Sequence, residues 1–365
     1  MRISPPQLPF LEWVRTYNHS TFSSDLLAAL IVTLMLIPQS LAYAMLAGLP
    51  PEVGLYASIA PLVLYMFLGT SRVLAVGPVA VVSLMTAAAI GEHAALGTHA
   101  YWQVAMTLAF LSGAMLLVMG LLRLGFLANF LSHSVVSAFI TASALLITAN
   151  QFKTILGIRA EGDNFFVLTK NLLAQASSVH TLTFALGMAT VGFLFLTRKY
   201  LKASLINLGL PSAIADIIGK ACPVIAIGLT TALTWSLNWE AAGVKVVGFV
   251  PQTLPPLTAP LWDLELWSAL FVPALLISVV GFVESVSVGQ TLAARKRQRI
   301  EPNQELVALG ACNLSASFTG GFPVTGGFAR SVVNADSGAR TPAAGLLTAI
   351  GITLTSLLLT PFLFY

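Results

Sequence analysis

The sequence predicts an all-α, polytopic membrane protein in which two of the spanning segments are half helices, each preceded by a short β-like stretch. Three observations carry this. The 365 residues are 57% hydrophobic and only 9% charged, with a mean hydropathy of +0.87, whereas soluble domains are about 25% charged. Apolar runs close to the ~20 residues that a helix needs to cross a bilayer recur along the chain. Two runs are short and interrupted by Gly and Pro in a similar way. One reads Ala75-Val-Gly77-Pro78-Val79-Ala80-Val81-Val82-Ser83-Leu84, and the other Thr319-Gly-Gly-Phe-Pro323-Val-Thr325-Gly326-Gly327-Phe328-Ala329-Arg330-Ser331-Val332-Val333.

Taken in order, residues 1–25 form a polar to mildly amphipathic segment, unlike a signal peptide. The first apolar run, Leu26–Leu46, contains an Ala42-Tyr-Ala44 that mimics a cleavage site, but its length, Pro38 and Gln39 point to a retained span. Spans are expected near 26–46, 53–69, 78–91, 102–121, 130–151, 181–197, 221–237, 266–292, 304–318, 326–336 and 342–363. Residues 154–179 read as a polar loop. Residues 238–265, with Pro251, Pro255, Pro256 and Pro260, read as an ordered external linker between two halves.

Orientation follows from the basic residues. With the N-terminus in the cytoplasm, Lys153, Arg159, Lys170 and Lys245 fall outside, Arg330 lies in the membrane, and the rest of the 18 Lys and Arg residues fall inside. That is a strong positive-inside bias. The pI near 9.2 therefore reports topology and not nucleic-acid binding. The cluster Arg295–Arg299 anchors the eighth span at the cytoplasmic face. The third span then runs outward from mid-membrane and the tenth runs inward, so their N-termini face each other, as in an inverted repeat. Aligning Gly77 with Gly326 sets Ala80 beside Ala329 and Val81 beside Arg330.

Irregular backbone at membrane depth occurs only where it faces protein or lines a cavity, and helix N-termini attract anions. Arg330 in this setting points to an anionic ligand. A charge at the bilayer centre costs about 2.5–3.5 kcal/mol on insertion scales, so the competing reading is a structural ion pair, with Glu284 as the candidate partner. Glu284 belongs to a polar face with Ser287 and Thr291 on the eighth span. A carboxylate there suits proton binding or, with the Ser287 oxygen, cation coordination; pairing with Arg330 is the alternative. In the first span, Pro38 breaks the helix and frees a carbonyl, and Gln39 and Tyr43 share one face. Cavity lining and interhelical hydrogen bonding both fit them. Thr325 and Ser331 offer further hydroxyls. Cys222 and Cys312 lack metal spacing, as do His93, His99, His133 and His180. No nucleophile–base pair or phosphate-binding Gly-Lys motif appears, which argues against an enzyme, a cofactor or ATP-driven transport.

At these residues the chain resembles the sulfate permease family. The match is carried by Pro51-Glu-Val53-Gly54-Leu55-Tyr56-Ala57-Ser58 through Leu64-Tyr65 to Gly69-Thr70-Ser71-Arg72, with Val53 where Tyr is usual. Ile37-Pro38-Gln39-Ser40-Leu41-Ala42-Tyr43-Ala44, Asn303-Gln304-Glu305-Leu306 and Ala329-Arg330-Ser331 are similar to further family motifs. The resemblance implies a seven-plus-seven inverted repeat split into core and gate domains, with spans 1–4 and 8–11 in the core. It implies an anion held between spans 3 and 10, by Gln39, Tyr43, Val79, Ala80, Gly327, Phe328, Ala329 and Arg330. Cation coupling, to H+ or Na+, would fall to Glu284 and Ser287. A secondary active transporter of sulfate, bicarbonate, chloride or a dicarboxylate is expected, moving its core like an elevator, as a homodimer in the plasma (inner) membrane. The corresponding segments are 1–25 cytoplasmic, 26–151 core spans with the first gate span, 152–237 gate, 238–265 extracellular linker and 266–365 core. Spans 12–14 and the family's usual soluble STAS domain would lie beyond Tyr365, so a partial chain is expected. The rival readings are a nucleobase transporter of the same fold, in which Glu284 would hydrogen-bond the base, and a non-transporting membrane scaffold.

Overall fold

The computed structural model describes residues 9–127, 133–158, 165–248, 251–295, 298–358 and 360. The chain divides into two units. The first comprises residues 1–136 and 251–360, the second 137–250 and 361–365.

The first unit opens with a short helix α1 (Phe10–Val14) and a long α2 (His19–Leu46). The side chain of Asn18 starts α2 by accepting from the Thr21 N–H at 2.9 Å, one of the orphan donors of a first turn. α2 does not break at Pro38. It runs through without interruption, and the missing proline N–H only deprives the Leu34 carbonyl of its partner. α3 (Pro51–Leu68) begins on a proline at its first position, where the N–H would be unpaired anyway. Then follow strand β1 (Val76–Gly77), half helix α4 (Ala80–Gly91) and α5 (His99–Leu121).

The first unit resumes after the linker with α11 (Leu264–Arg295), α12 (Pro302–Phe318), strand β2 (Thr325–Gly326), half helix α13 (Phe328–Asp336) and α14 (Ala343–Leu358). α12 packs most extensively on α5. The contact rests on facing glycines: a Cβ on Gly113 would lie 2.7 Å from the Leu314 nitrogen, and one on Gly310 would lie 2.8 Å from the Leu117 nitrogen. Small residues let backbones approach where no hydrophobic effect drives association. Among the described residues five helices are long and apolar enough to cross a membrane. α12 is not one of them; it carries buried Glu305 and Asn313 and is packed on by α3 and α5.

The polar motif residues of α12 fasten its neighbours. Glu305, 1% exposed, accepts from Tyr65 Oη at 2.8 Å, from Thr70 N and Oγ1 at 2.7 and 2.5 Å, and from Ser71 N at 3.2 Å. Gln304 donates to the Leu68 carbonyl, and Asn303 Oδ1 accepts from Gly125 N. The turn after α3, which feeds β1, is thus fixed by side chains from α12. Asp25 of α2 does the same for the turn before α14, accepting from Arg340 N, Thr341 N and Thr341 Oγ1.

The end of the linker is extended and ordered. Thr258 N donates to Phe318 O and its hydroxyl to Ser317 O, while Gly320 N donates to Thr258 Oγ1 and Leu261 N to Thr107 Oγ1. Residues 251–263 therefore belong to the first unit.

The second unit contains α6 (His133–Leu156, most of its length), α7 (Phe165–Ala174), α8 (Thr181–Leu196), a π turn (Thr197–Leu201), α9 (Lys202–Asn207) and α10 (Ser212–Ser236). α7 corrects the expectation of a loop over 154–179: Phe165, Phe166, Leu168, Leu172 and Leu173 give that stretch a helical apolar face. α10 also starts earlier than expected, on Pro211 as its N-cap. Part of the first-turn expectation for the fifth span, residues 130–132, lies outside the described residues.

Candidate functional site

The site is built on the pairing of the two interrupted segments. β1 and β2 are antiparallel, with Val76 opposite Gly326 and Gly77 opposite Thr325. Each is followed at once by a half helix. Val79 and Gly327, the respective N-caps, are extended and offer no side-chain cap to the helix they start. The first-turn N–H groups of a helix have no partner within it, so two uncapped ends, each with partial positive charge, flank the ladder.

Arg330, 1% exposed, binds the ladder itself. Nε donates to the Ala75 carbonyl at 2.9 Å, Nη1 to Pro78 at 2.7 Å, and Nη2 to Gly77 at 2.7 Å and Thr325 at 3.0 Å. Four of the five guanidinium hydrogens are thereby used on main-chain oxygens of both segments. Glycine makes this possible. A Cβ on Gly77 would lie 3.2 Å from Nη1, and one on Gly327 would lie 2.7 Å from Nε. Gly77 also has φ +156°, which disfavours any side chain.

Further main-chain groups of the two segments are satisfied by side chains of α11, α12 and α13. Asn313 of α12 accepts from Val324 N and donates to Val324 O, both at 2.9 Å, and so imitates a neighbouring strand. Ser285 of α11 accepts from Gly326 N at 2.8 Å and bonds Thr325 Oγ1 at 2.6 Å. Ser331 accepts from Ala75 N, and Asn334 donates to Val73 O. The traffic runs one way. β1 is held by Arg330, Ser331 and Asn334 of α13, whereas the repeat-related positions on α4 are Val81, Val82 and Met85. The two halves share a backbone plan but not its side-chain chemistry.

The residues singled out from the sequence divide as follows. Gln39 and Tyr43 are half-buried on α2. The Tyr43 phenol faces the Gln39 amide and lies in the fields of Arg330 and Glu284. Glu284 feels the charge of Arg330, but the guanidinium is spent on carbonyls and not on an ion pair with it. Glu284 Oε2 and Gln39 Oε1 are sealed from solvent with no hydrogen-bond partner. Val79 and Ala80 are buried, 6% and 5% exposed, as is Gly327, while Phe328 and Ala329 at the first turn of α13 are exposed. Ser287 is half-buried, and its carbonyl accepts from Thr291 Oγ1. Thr325 and Ser331 do not offer free hydroxyls to a ligand. Thr325 Oγ1 donates to Gly281 O and Ser331 Oγ to Gly327 O, because each is needed to close the ladder.

The sequence reading missed Ser285, Asn313 and Asn334. The signal was present: amides and hydroxyls in spans otherwise apolar are there to bond across helices.

Comparison with known proteins agrees with this architecture. The family described as "Sulfate permease family" matches residues 22–365. Among curated proteins, the chain is 37% identical over 359 residues to the chloroplastic sulfate transporter 4.1 of Arabidopsis thaliana, covering 98% of this chain and 51% of that one. It is 37% identical over 338 residues to a probable sulfate transporter of Mycobacterium tuberculosis, covering 93% and 57%. The chain thus spans about half the length of these relatives. Among solved structures, murine solute carrier 26 family member A9, an anion transporter in the inward-facing state, matches with a TM-score of 0.87 at 24% identity, over 100% of this chain and 62% of that one. The transmembrane domain of a cyanobacterium bicarbonate transporter matches with a TM-score of 0.79 at 20% identity, over 95% and 85%. These two likenesses bear on the fold, which is that of an integral, multi-pass membrane protein.

Proposed function

This chain belongs to the sulfate permease family, and we propose that it forms the anion-binding part of a secondary active transporter. The observation that carries the proposal is the pairing of two uncapped half-helix N-termini through a ladder locked by a buried cation. Backbone N–H groups and dipoles at both ends suit an anion in the manner of other helix-terminus sites. The named relatives are a sulfate transporter and a probable sulfate transporter, and a solved neighbour is a bicarbonate transporter; small oxyanions are the substrate class we assign. Gln39, Tyr43, Val79, Ala80, Gly327, Phe328 and Ala329 line the site, and Arg330 sets its geometry and its field.

We assign coupling to a cation, H+ or Na+, at Glu284 with Ser287 nearby. The orphaned Glu284 oxygen supports that assignment. Alternating access would carry the first unit across the membrane in an elevator-like motion, in a plasma-membrane homodimer whose N-terminus is cytoplasmic.

The test is binding and flux with the purified chain. Thermal stabilisation by sulfate, bicarbonate, chloride, fumarate and uracil should single out anions; a ligand at 100 times its Kd adds about 2.7 kcal/mol. Stabilisation by uracil alone would overturn the anion reading. For coupling, Glu284→Gln should abolish the pH or Na+ dependence of uptake into proteoliposomes, and a dependence that survives the change removes Glu284 from that role.

A further inference from the structure

The second unit holds a histidine whose protonation state is defined by its neighbours. His180 is the N-cap of α8, and its Nδ1 accepts from the Thr183 N–H at 3.3 Å. A main-chain N–H can only donate, so Nδ1 carries no hydrogen. The Thr183 hydroxyl, 2.7 Å away, is then a second donor to it. Across the ring, Nε2 lies 3.0 Å from the Ala242 carbonyl oxygen. That oxygen can only accept, so Nε2 carries the hydrogen. The His180 main-chain N–H donates to the Leu156 carbonyl at 3.0 Å. One neutral residue therefore ties together the end of α6, the start of α8 and the turn over residues 237–243. The seat is close: a Cβ on Gly157 would lie 2.9 Å from His180 Cβ, and one on Gly243 would lie 3.1 Å from Nε2.

A second proton finds no acceptor here. It would enter at Nδ1, set N–H against N–H at Thr183, and bring positive charge to a helix N-terminus, which is itself positive. Imidazole is the side chain that changes charge between about pH 5 and 8. The charged residues carried by the three segments are Lys153 on α6 and Glu240 and Lys245 on and beside the turn. Neither ring nitrogen bonds to any of them, since both are taken by Thr183 and Ala242. Arg159, Glu161 and Asp163, which follow α6, lie outside the described residues.

We infer that His180 is an acid-sensitive clasp of the second unit. Neutral, it holds the start of α8 to the end of α6 and to the 237–243 turn; protonated, it releases the start of α8 from the turn. The clasp stands apart from the anion site and involves none of its residues.

Hydrogen exchange on the purified protein in lipid nanodiscs tests this, read as protection relative to unstructured peptide so that the pH dependence of the exchange chemistry cancels. Protection at residues 183–187 and 242–244 should be roughly tenfold lower at about pH 5.5 than at about pH 8, the combined effect of a lost cap and an unfavourable charge at the helix start. His180→Asn supplies an uncharged N-cap and should keep residues 183–187 equally protected at both pH values, whereas His180→Ala should lower their protection at both. Glu240→Gln should leave the pH effect in place. Equal protection at the two pH values in the unaltered protein overturns the inference. So does a pH effect that survives in His180→Asn, or one that Glu240→Gln abolishes, which hands the titration to Glu240. A fall of the same size across α14 in the first unit would mark global unfolding and overturn it as well.

Discussion

The guanidinium of Arg330 lies so close to the α-carbon of Gly327 that a methyl group there would sit 2.7 Å from Nε and 2.9 Å from Cζ. The neighbour in the way is not a free chain end. It is tied to four carbonyls. Gly327→Ala should therefore lower anion affinity at least about tenfold, the effect of losing roughly one buried charged hydrogen bond. Gly91→Ala, at the far end of α4 with nothing within 4 Å of the added carbon, should leave affinity unchanged. Titration of both variants by calorimetry checks the contrast.

Arg330→Lys separates positive charge from geometry. A lysine keeps the charge but has no planar fork, so it cannot reach four oxygens on two segments. If Arg330 contributed field alone, lysine would preserve binding. The ladder predicts that Arg330→Lys and Arg330→Ala both lose most of the affinity and both lower Tm. Each carbonyl left unpaired costs about 1–3 kcal/mol. Affinity and melting temperature measured on the same samples decide between the two roles.

Asn313→Leu is close in volume and removes both bonds to Val324. Two buried main-chain groups lose their partners, so a destabilisation of roughly 2–5 kcal/mol is expected. Because Val324 leads directly into β2, anion affinity should fall as well. Thermal unfolding with and without a saturating anion reads both quantities.

Glu305→Ala leaves the Tyr65 hydroxyl, two main-chain N–H groups and the Thr70 hydroxyl without their acceptor. Losing a buried carboxylate with this many donors should cost at least about 3 kcal/mol. Hydrogen exchange should show the damage first at residues 69–74, the turn that delivers β1. Protection there equal to that of the unaltered protein would contradict the role given to Glu305.

Much of this was legible before the structure. The helices of the first unit follow their apolar runs, and the half helices announce themselves through Gly77-Pro78 and Gly326-Gly327, since few other residues can start a helix inside a bilayer. Arg330 was legible as the buried charge. Its partners were not, because they are carbonyls, which every residue has. The sequence pointed to an anionic ligand, with an ion pair to Glu284 as the rival; the structure gives the guanidinium to Ala75, Gly77, Pro78 and Thr325. Pro38 misled for the opposite reason: a proline removes one hydrogen bond, but a helix packed on α3, α4 and α14 can bear that loss. α7 was hidden by its brevity, ten residues between polar stretches.

The one-way support of β1 also orders events in time. Ala75, Gly77 and Pro78 leave the ribosome more than 250 residues before the arginine that pairs with them. Until that arginine arrives, their oxygens sit at membrane depth with no protein partner, and lipid cannot supply one. The newborn first half must therefore keep water around this strand, or be shielded by the insertion machinery, and only the entry of α13 seals it. The paired ladder comes into being only once α13 has been made, well after the rest of β1's surroundings, and any chain interrupted before residue 330 carries an open, hydrated seam in its place.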